Sequence, residues 1–165
     1  MPTTDRLILV DFDAAHIDSL YEIQGNQAYM KFTQSAESKE RCAESLGRYA
    51  EAKSSNGFAP WTALHPTTQK VIGWGGLCVD PDAPEWGPEV IYFIHPDFQG
   101  AGLATELVCA SLSYGFNECK LSKISSFAMP ENASSIRVLQ KSSFTFLRYE
   151  PSLERNHYVA YWKQT

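Results

Sequence analysis

The chain has 165 residues, of which 44% are hydrophobic and 20% are charged, as is usual for a globular protein that buries a substantial core. Its formal net charge of −5 disfavours a nucleic-acid partner, because phosphates would be repelled at most approaches. No apolar run approaches the ~18–20 residues that cross a bilayer, and Met1–Arg6 lacks the layout of a signal peptide, so we expect a cytoplasmic protein without a membrane partner.

The length predicts a single domain over residues 1–165. The four cysteines lie far apart, with no C-x-x-C pair and no histidine at zinc-finger spacing. We therefore expect free thiols and no metal site at Cys42, Cys78, Cys109 and Cys119.

The first half of the chain combines strand and helix patterns. Three glycines, Gly73, Gly75 and Gly76, fall within one apolar run and predict a bulge or a close backbone approach. In chain order the patterns predict a strand at Arg6–Val10, a helix from Asp13 to about Gln24, a short helical piece at Gln27–Phe32, a helix from Ser38 that ends before Asn56, and a hairpin of Phe58–Leu64 with Val71–Val79.

The second half predicts further strands separated by two helices. Together with the first half, this order describes an α+β fold around one mixed sheet. The predicted elements are a loop at Asp80–Pro88, a strand at Glu89–His95, a helix at Gly102–Asn117, a strand at Lys123–Ala128, a helix at Asn132–Ser142, and strands at Thr145–Tyr149 and Tyr158–Lys163.

The most informative segment is the turn between the strand that ends at His95 and the helix that begins near Gly102. Free N–H groups and the positive dipole end at a helix start favour an anionic ligand, and small residues let phosphate oxygens approach them. The alternative is a tight turn in which glycine only satisfies backbone geometry. The segment lacks G-x-x-x-x-G-K-[ST] and only partly imitates G-x-G-x-x-G, since Thr105 replaces the third glycine.

Two motifs resemble the GNAT superfamily of acetyltransferases. The run Gln99–Ala104, QGAGLA, matches the family's acetyl-CoA pyrophosphate signature Q/R-x-x-G-x-G/A, and Asn132–Leu139, NASSIRVL, resembles a segment of the RimJ/RimL-like branch, which acetylates protein N-termini. The resemblance is good over Glu89–Phe144. It implies the GNAT fold, a single, largely antiparallel mixed sheet of about seven strands with a central splay and helices on both faces.

The resemblance also implies how acetyl-CoA would bind. The main chain beside the splay would pair with the pantetheine arm, and the loop would hold the pyrophosphate. Asn132 would contact the cofactor arm, although the same residue could serve only as a helix N-cap. The cofactor-binding residues implied are Tyr92, Phe93, Ile94, Gln99, Gly100, Ala101, Gly102, Leu103, Ala104, Thr105, Asn132 and Ser135.

The catalytic residues are implied in the same way. Glu89, at the start of the central strand, is the first candidate for the general base, and Glu154 is the second. Many family members have a tyrosine acid four residues after the position of Ser135, where this chain has Leu139. The resemblance to RimJ/RimL-like proteins, in which the matching serine contacts the thiol sulfur, implies Ser135 as the acid instead. The opposing interpretations are an exposed strand-end carboxylate and a helix-surface serine.

Two further positions carry expectations. Ser143 stands where the family usually has glycine, so a positive φ there would cost of order 1 kcal/mol. Trp86, in the proline-rich loop, is a candidate for lining an acceptor pocket, with core packing as the alternative.

The function implied is direct acetyl transfer to a primary amine in a ternary complex. The acceptor stays open among a protein or peptide N-terminus, an amino acid, a polyamine and an antibiotic, and many similar proteins form homodimers. The alternative is a non-catalytic acyl-CoA-binding or regulatory module of the same fold, which Leu139 favours. A dinucleotide-dependent reductase is disfavoured because the glycine motif does not open the chain.

Overall fold

The computed structural model describes residue 2 and residues 4–34 and 37–162. The helices are α1 (Ile17–Gln24), α2 (Lys39–Glu51), α3 (Lys53–Asn56), α4 (Leu103–Asn117) and α5 (Ala133–Lys141). The strands are β1 (Ile8–Asp11), β2 (Trp61–Leu64), β3 (Val71–Cys78), β4 (Glu89–Ile94), β5 (Lys123–Ala128), β6 (Thr145–Glu150) and β7 (Arg155–Tyr161).

The seven strands form one open sheet in the order β1-β2-β3-β4-β5-β7-β6. Neighbouring strands are antiparallel everywhere except between β4 and β5, which run parallel. The predicted α+β class and the seven-stranded, largely antiparallel mixed sheet are confirmed.

Strands β4 and β5 diverge almost as soon as they meet. Their one paired position in the described chain is Glu89 with Ser125, where the Ser125 N–H donates to the Pro88 carbonyl at 3.0 Å. One step further, the Ser126 hydroxyl donates to the Val90 carbonyl at 2.8 Å. The sheet is therefore splayed at its centre, as predicted.

Helices cover both faces of the sheet. On one face, Leu20 of α1 and Leu46 of α2 pack against Trp74 of β3. On the other, Val108 of α4 and Leu139 of α5 share a cluster with strand residues. These helices form because apolar residues recur at helical spacing and bury one stripe against the sheet. No helix within the described ranges is long and apolar enough to traverse a membrane.

The prediction of a short helix at Gln27–Phe32 is wrong. The segment consists of turns, in which the Asn26 carbonyl accepts from the N–H groups of Tyr29 and Met30 at 3.1 and 3.0 Å. The Asn26 side chain also accepts from the Ala28 N–H at 3.0 Å. Asparagine side chains compete with helix formation in this way, so the chain turns without continuing as a helix.

Several element boundaries differ from the predicted ones by a few residues. The helix predicted from Asp13 starts as a 3-10 turn at Ala14–His16. The long helix from Ser38 is divided at Ala52 into α2 and α3. The last strand lies at Arg155–Tyr161, and Lys163, which closes the predicted range, lies outside the described residues.

The glycines of β3 bring that strand close to β4. A Cβ on Gly75 would lie 2.5 Å from the Ile91 carbonyl oxygen, and one on Gly73 would lie 2.5 Å from that of Phe93. Side chains at these positions would force the two backbones apart. The predicted close approach is therefore present, and it fixes β4, which forms one edge of the splay.

Candidate active site

The turn after β4 has the shape expected of an anion-binding junction. A 3-10 turn at Pro96–Phe98 leads to the loop, and α4 begins at Leu103. Gly100 and Gly102 have φ values of 79° and 82°, which side chains disfavour. Gly102 is the N-cap of α4 and supplies no capping side chain, so the helix start stays open to a ligand.

The amides of this junction are not engaged by the protein. The first backbone bond into α4 joins the Glu106 N–H to the Gly102 carbonyl at 3.0 Å, and the Gln99 N–H donates to Pro96 at 3.1 Å. Between them, the N–H groups from Gly100 to Thr105 have no hydrogen-bond acceptor within the described chain. These six amides can therefore donate to an anion at the positive end of α4.

An N-terminal arginine holds this loop from behind. The Arg6 guanidinium donates to the Ala101 carbonyl at 2.7 Å and to the Glu106 carboxylate at 2.7 Å, and the Arg6 N–H donates to the same carboxylate at 2.8 Å. Burial alone would raise the pKa of Glu106, but the bonds from Arg6 lower it overall. Arg6 thus neutralises a carboxylate that would otherwise repel phosphate beside the loop.

The loop borders a cavity of about 580 Å³, which we call the loop cavity. Among the residues that the structure describes, three cationic side chains line it, Lys31, Arg137 and Lys141, and no aspartate or glutamate does. This local excess of positive charge contrasts with the net charge of −5 for the whole chain. The cavity is therefore suited to a ligand with several negative charges.

The splay exposes main-chain groups of β4 to this cavity. The carbonyls of Pro88 and Val90 accept bonds from the β5 side, and the strand alternation places the main-chain groups of Tyr92 and Ile94 on that same side. Phe93 differs from the prediction, because its carbonyl is directed towards Gly73 of β3. Phe93 instead contributes its side chain to the cavity wall.

A second cavity of about 270 Å³ lies on the face of the sheet that carries α1 and α2, and we call it the Glu89 cavity. Glu89 lines it at 7% exposure. Burial and, to a lesser extent, the nearby Asp80 raise the pKa of this carboxyl to about 7 against the opposing effect of Arg155. The carboxylate has no hydrogen-bond partner in the described chain, so it is poised to accept a proton near neutral pH.

The two cavities meet at a pair of hydroxyl groups. Tyr92 and Ser135 line both cavities, and their side-chain oxygens are 2.8 Å apart. Burial raises the pKa of Tyr92 to about 12, although its bond with Ser135 opposes this, so the phenol keeps its proton at neutral pH. Sequence reasoning assigned Tyr92 a role through its main chain only, and the hydroxyl contact was missed.

Leu139, which stands where many family members have a tyrosine, belongs to the core. Leu139 is fully buried in a cluster with Val108 and Phe144. Asn132 is the N-cap of α5, because its side chain accepts from the Ser135 N–H at 3.1 Å, and the residue also lines both cavities. Its contact with the cofactor arm stays a prediction. Ser135 thus lies in the first turn of α5, facing the cavities.

The remaining candidate residues lie apart from this junction. Glu154 is exposed in the turn before β7 with φ of 53°, and its side chain lines neither cavity, although its neighbours Leu153 and Arg155 line the Glu89 cavity. Trp86 lines the Glu89 cavity, as the sequence suggested. Ser143 has a positive φ of 67° at the end of α5, as its position predicted.

The histidines and cysteines of the described chain line neither cavity. The imidazoles of His16, His65 and His95 accept from nearby main-chain N–H groups, and His157 contacts the Ser125 hydroxyl at 2.9 Å. All four cysteines have free thiols. Across the described ranges, no three His, Cys, Asp or Glu side chains are grouped so as to hold a metal ion.

Comparisons with known proteins agree with this geometry. The profile of the Acetyltransferase (GNAT) domain family matches residues 6–145. The uncharacterized N-acetyltransferase YnaD of Bacillus subtilis is 26% identical over 145 residues, covering 84% of this chain and 79% of that protein. The probable N-acetyltransferase YjcK of the same organism is 42% identical over 53 residues, which span 32% of this chain but only 29% of YjcK.

Solved structures share the fold at low sequence identity. An acetyltransferase from Agrobacterium tumefaciens has a TM-score of 0.88 at 18% identity and covers 97% of this chain and 93% of its own. The aminoglycoside acetyltransferase AAC(6')-Ib in complex with coenzyme A has 0.76 at 18% identity, with 94% of each chain covered. RimL, the ribosomal L7/L12 alpha-N-protein acetyltransferase, in complex with coenzyme A, has 0.79 at 15% identity and covers 97% of this chain and 96% of its own.

The family profile extends over most of the chain, and it includes β4, the open loop, α4 and α5. The glycine junction and the splayed sheet are thus parts of a known acyl-transfer scaffold. The chain belongs to the GNAT acetyltransferase family and is an acyltransferase.

Proposed function

We propose that this protein is an N-acetyltransferase that moves the acetyl group of acetyl-CoA directly to a primary amine. One observation carries the proposal: a cationic cavity and a carboxylate-bearing cavity meet at the splay of β4 and β5. An anionic acyl donor in one cavity and an amine in the other can then meet at Tyr92 and Ser135, which line both. Holding both in one cleft removes much of the entropic cost of their encounter.

The loop cavity fits acetyl-CoA in charge and in shape. The six free amides from Gly100 to Thr105 would bind the pyrophosphate, with Gln99 beside them. Gln99 itself braces the strand end, because its amide nitrogen donates to the Ile94 carbonyl at 2.8 Å. Arg137 and Lys141 would balance the remaining phosphate charge, and the Tyr92 and Ile94 main chain would pair with the pantetheine arm.

Glu89 is the group best placed to take the proton of the amine. Acetyl-CoA supplies an activated thioester, and the amine must be neutral to form a bond with its carbonyl carbon. With a pKa of about 7, Glu89 is half ionised near neutrality and can accept that proton directly or through water. Glu154 remains a second candidate for the general base, although its exposed side chain does not line the Glu89 cavity.

The Tyr92–Ser135 pair would supply a proton to the leaving sulfur. As the new nitrogen–carbon bond forms and the carbon–sulfur bond breaks, the sulfur carries the departing electron pair and needs a proton. In our proposal the Ser135 hydroxyl donates the proton to the sulfur. The Tyr92 phenol would then return a proton to Ser135 across their 2.8 Å contact. A main-chain N–H near Ile94 would stabilise the negative charge that develops on the carbonyl oxygen.

The finer assignments are also proposals. The RimJ/RimL-like branch is supported by the NASSIRVL segment and by the fold shared with RimL, whose name describes α-N-protein acetylation. AAC(6')-Ib, whose name describes aminoglycoside acetylation, shares the fold equally well. We further propose that residues 1–165 act as one domain in the cytoplasm, and homodimer formation stays a prediction.

The test of the loop uses a matched pair of glycine variants. Gly102→Glu adds a carboxylate at the start of α4, on a residue that lines the loop cavity and whose added Cβ would lie 3.4 Å from the Arg6 guanidinium that holds the loop. Gly57→Glu makes the same change at an exposed helix end with a similar φ of 81°. We expect acetyl-CoA to raise the melting temperature of the wild-type protein and Gly57→Glu, but not of Gly102→Glu. Ligand at about 100 times Kd stabilises by about 2.7 kcal/mol, which is readily measured. Equal acetyl-CoA affinity in both variants would remove the loop from the proposed site.

A further inference from the structure

Aromatic side chains flank Glu89 on both sides of its strand. On the β3 side, Trp74 stacks on Phe93 with ring centroids 5.7 Å apart. On the β5 side, Trp86 meets Phe127 edge to face at 5.3 Å. All four rings belong to residues that line the Glu89 cavity. Phe93 lies on β4 itself, with Trp74 on the neighbouring strand β3 and Phe127 on β5, which borders β4 on its other side. A flat ring entering this cavity would meet aromatic surface on either side.

The charges of the same cavity favour a cation. Asp80 and Glu89 line it, and Arg155 is its one basic residue in the described chain. The Arg155 guanidinium already donates to the carbonyls of Phe32 and Thr33 at 3.1 and 2.7 Å. These bonds to neutral carbonyls fix the position of the guanidinium and leave its charge in place. The two carboxylates still outnumber this one cation, so the cavity favours an ammonium group. Aromatic faces add to this attraction through the ring quadrupole.

The size of the cavity restricts the acceptor to something compact. Its volume of about 270 Å³ is slightly below the ~300–1,000 Å³ range of pockets that take drug-sized molecules. A polycation of several sugar rings would need more room and several carboxylates in different directions. One ring on a short chain would fill the space and place its nitrogen beside Glu89.

We propose that the acceptor is a primary amine joined through one or two carbons to an aromatic ring. The inference rests on the proposed function, because it identifies the amine that the same site would acetylate. This chemistry occurs in a free arylalkylamine and in a peptide whose first residue is aromatic. The two sources share the ring and the amine, and they differ in whether a chain continues out of the cavity.

The test compares amines that differ in one property each. Thiol release from acetyl-CoA is measured with 2-phenylethylamine, 2-cyclohexylethylamine, butylamine, kanamycin and two short peptides, one beginning with phenylalanine and one with alanine. We expect kcat/KM for 2-phenylethylamine to exceed that for the cyclohexyl analogue by about tenfold. Only the flat phenyl ring can stack on the aromatic side chains of the cavity or meet them edge to face. The phenylalanyl peptide should likewise exceed the alanyl peptide, and the better of the two aromatic substrates identifies the source.

A pair of variants then tests the aromatic walls. Phe127→Leu removes a ring from the cavity, and Tyr149→Leu removes an exposed ring of β6 that lines neither cavity. We expect Phe127→Leu to lower the ratio of phenyl to cyclohexyl kcat/KM by about fivefold or more, and Tyr149→Leu to leave it unchanged. The rise in melting temperature with acetyl-CoA shows in each variant that the protein is folded and binds its donor.

The outcomes separate this inference from the proposed function. Equal or greater kcat/KM for the cyclohexyl, butyl or aminoglycoside substrate would overturn the aromatic assignment and leave acetyl transfer intact. A phenyl preference that survives Phe127→Leu unchanged would also overturn the assignment to this cavity. Failure of every amine and peptide to release thiol, with acetyl-CoA still bound, would overturn both the inference and the proposed catalysis.

Discussion

Replacing Glu89 with glutamine should have opposite effects on turnover and on stability. The amide cannot accept the proton of the amine, so we expect kcat to fall by about 10²–10⁴-fold, the usual contribution of a general base. The same change removes a buried carboxyl whose ionisation the fold resists. Glu89→Gln should therefore be less active and, at alkaline pH, more stable than the wild-type protein.

The size of the stability effect follows from the pKa of about 7 against an ordinary value of 4.5. Below pH 4.5 the carboxyl is protonated in both the folded and the unfolded chain, so burial carries no ionisation penalty. Between pH 4.5 and about 7 the unfolded chain loses its proton first, and stability falls as pH rises. Above pH 7 the full penalty applies, about 3 kcal/mol from this shift. Glutamine avoids it, so the free energy of unfolding should differ by about that much at pH 8 and little at pH 4.5.

Urea unfolding at pH 4.5 and pH 8 measures the stability difference, and thiol release between pH 5.5 and 9 measures turnover. The ratio of wild-type to variant turnover cancels the titration of the amine itself, and it should fall roughly tenfold per pH unit below 7. Glu118→Gln, at an exposed helix end, controls for the loss of a surface charge, and Glu154→Gln discriminates the second candidate base. A pH-independent ratio, or a variant no more stable than the wild type at pH 8, would refute the assignment of Glu89.

Three more predictions concern the loop, the hydroxyl pair and the end of α5. Tyr92→Phe should lower kcat by about 10–100-fold with the Kd of acetyl-CoA nearly unchanged, because it removes one hydroxyl of the 2.8 Å pair. Calorimetry measures Kd and thiol release measures kcat. An unchanged kcat would mean that Ser135 acts without Tyr92. Arg6→Ala should weaken acetyl-CoA binding by about tenfold, because it leaves the Glu106 carboxylate without its cation beside the loop. Adding Glu106→Gln to that variant should restore most of the affinity. No rescue would mean that Arg6 does not act through this carboxylate. Ser143→Gly should raise the free energy of unfolding by about 1 kcal/mol, since φ is 67° there, and a urea titration that shows no gain would contradict this cost.

The sequence allowed the anion-binding junction to be predicted because that feature is local. A strand, a run of small residues and a helix start follow one another within a few positions, and glycine at Gly100 and Gly102 indicates the backbone conformation directly. The hairpin of β2 with β3 could be predicted from a local signal as well, whereas the central splay was implied by the family resemblance alone. The alternative of an exposed strand-end carboxylate, which the sequence left open for Glu89, is wrong, because Glu89 is buried.

The features that the sequence did not reveal depend on contacts between distant segments. Arg6 meets Ala101 across 95 positions, and no local pattern marks either residue as a partner. The hydroxyl contact between Tyr92 and Ser135 joins a strand to a helix 43 residues away. Arg137 lies in a segment that resembles the family, but only the structure shows that its side chain lines the loop cavity. Side-chain direction at long range is decided by tertiary packing, so it had to be read from the structure.

The brief pairing of β4 with β5 has a consequence for folding. Strands β1 to β4 and strands β5 to β7 form two ladders joined through a single paired position, Glu89 with Ser125. A bound pantetheine arm that bonds to Tyr92 and Ile94 would occupy the place of a missing strand and tie one ladder to the other. Amide hydrogen exchange along β4 should then slow when acetyl-CoA is present, so the acyl donor would also act as a structural element of the sheet.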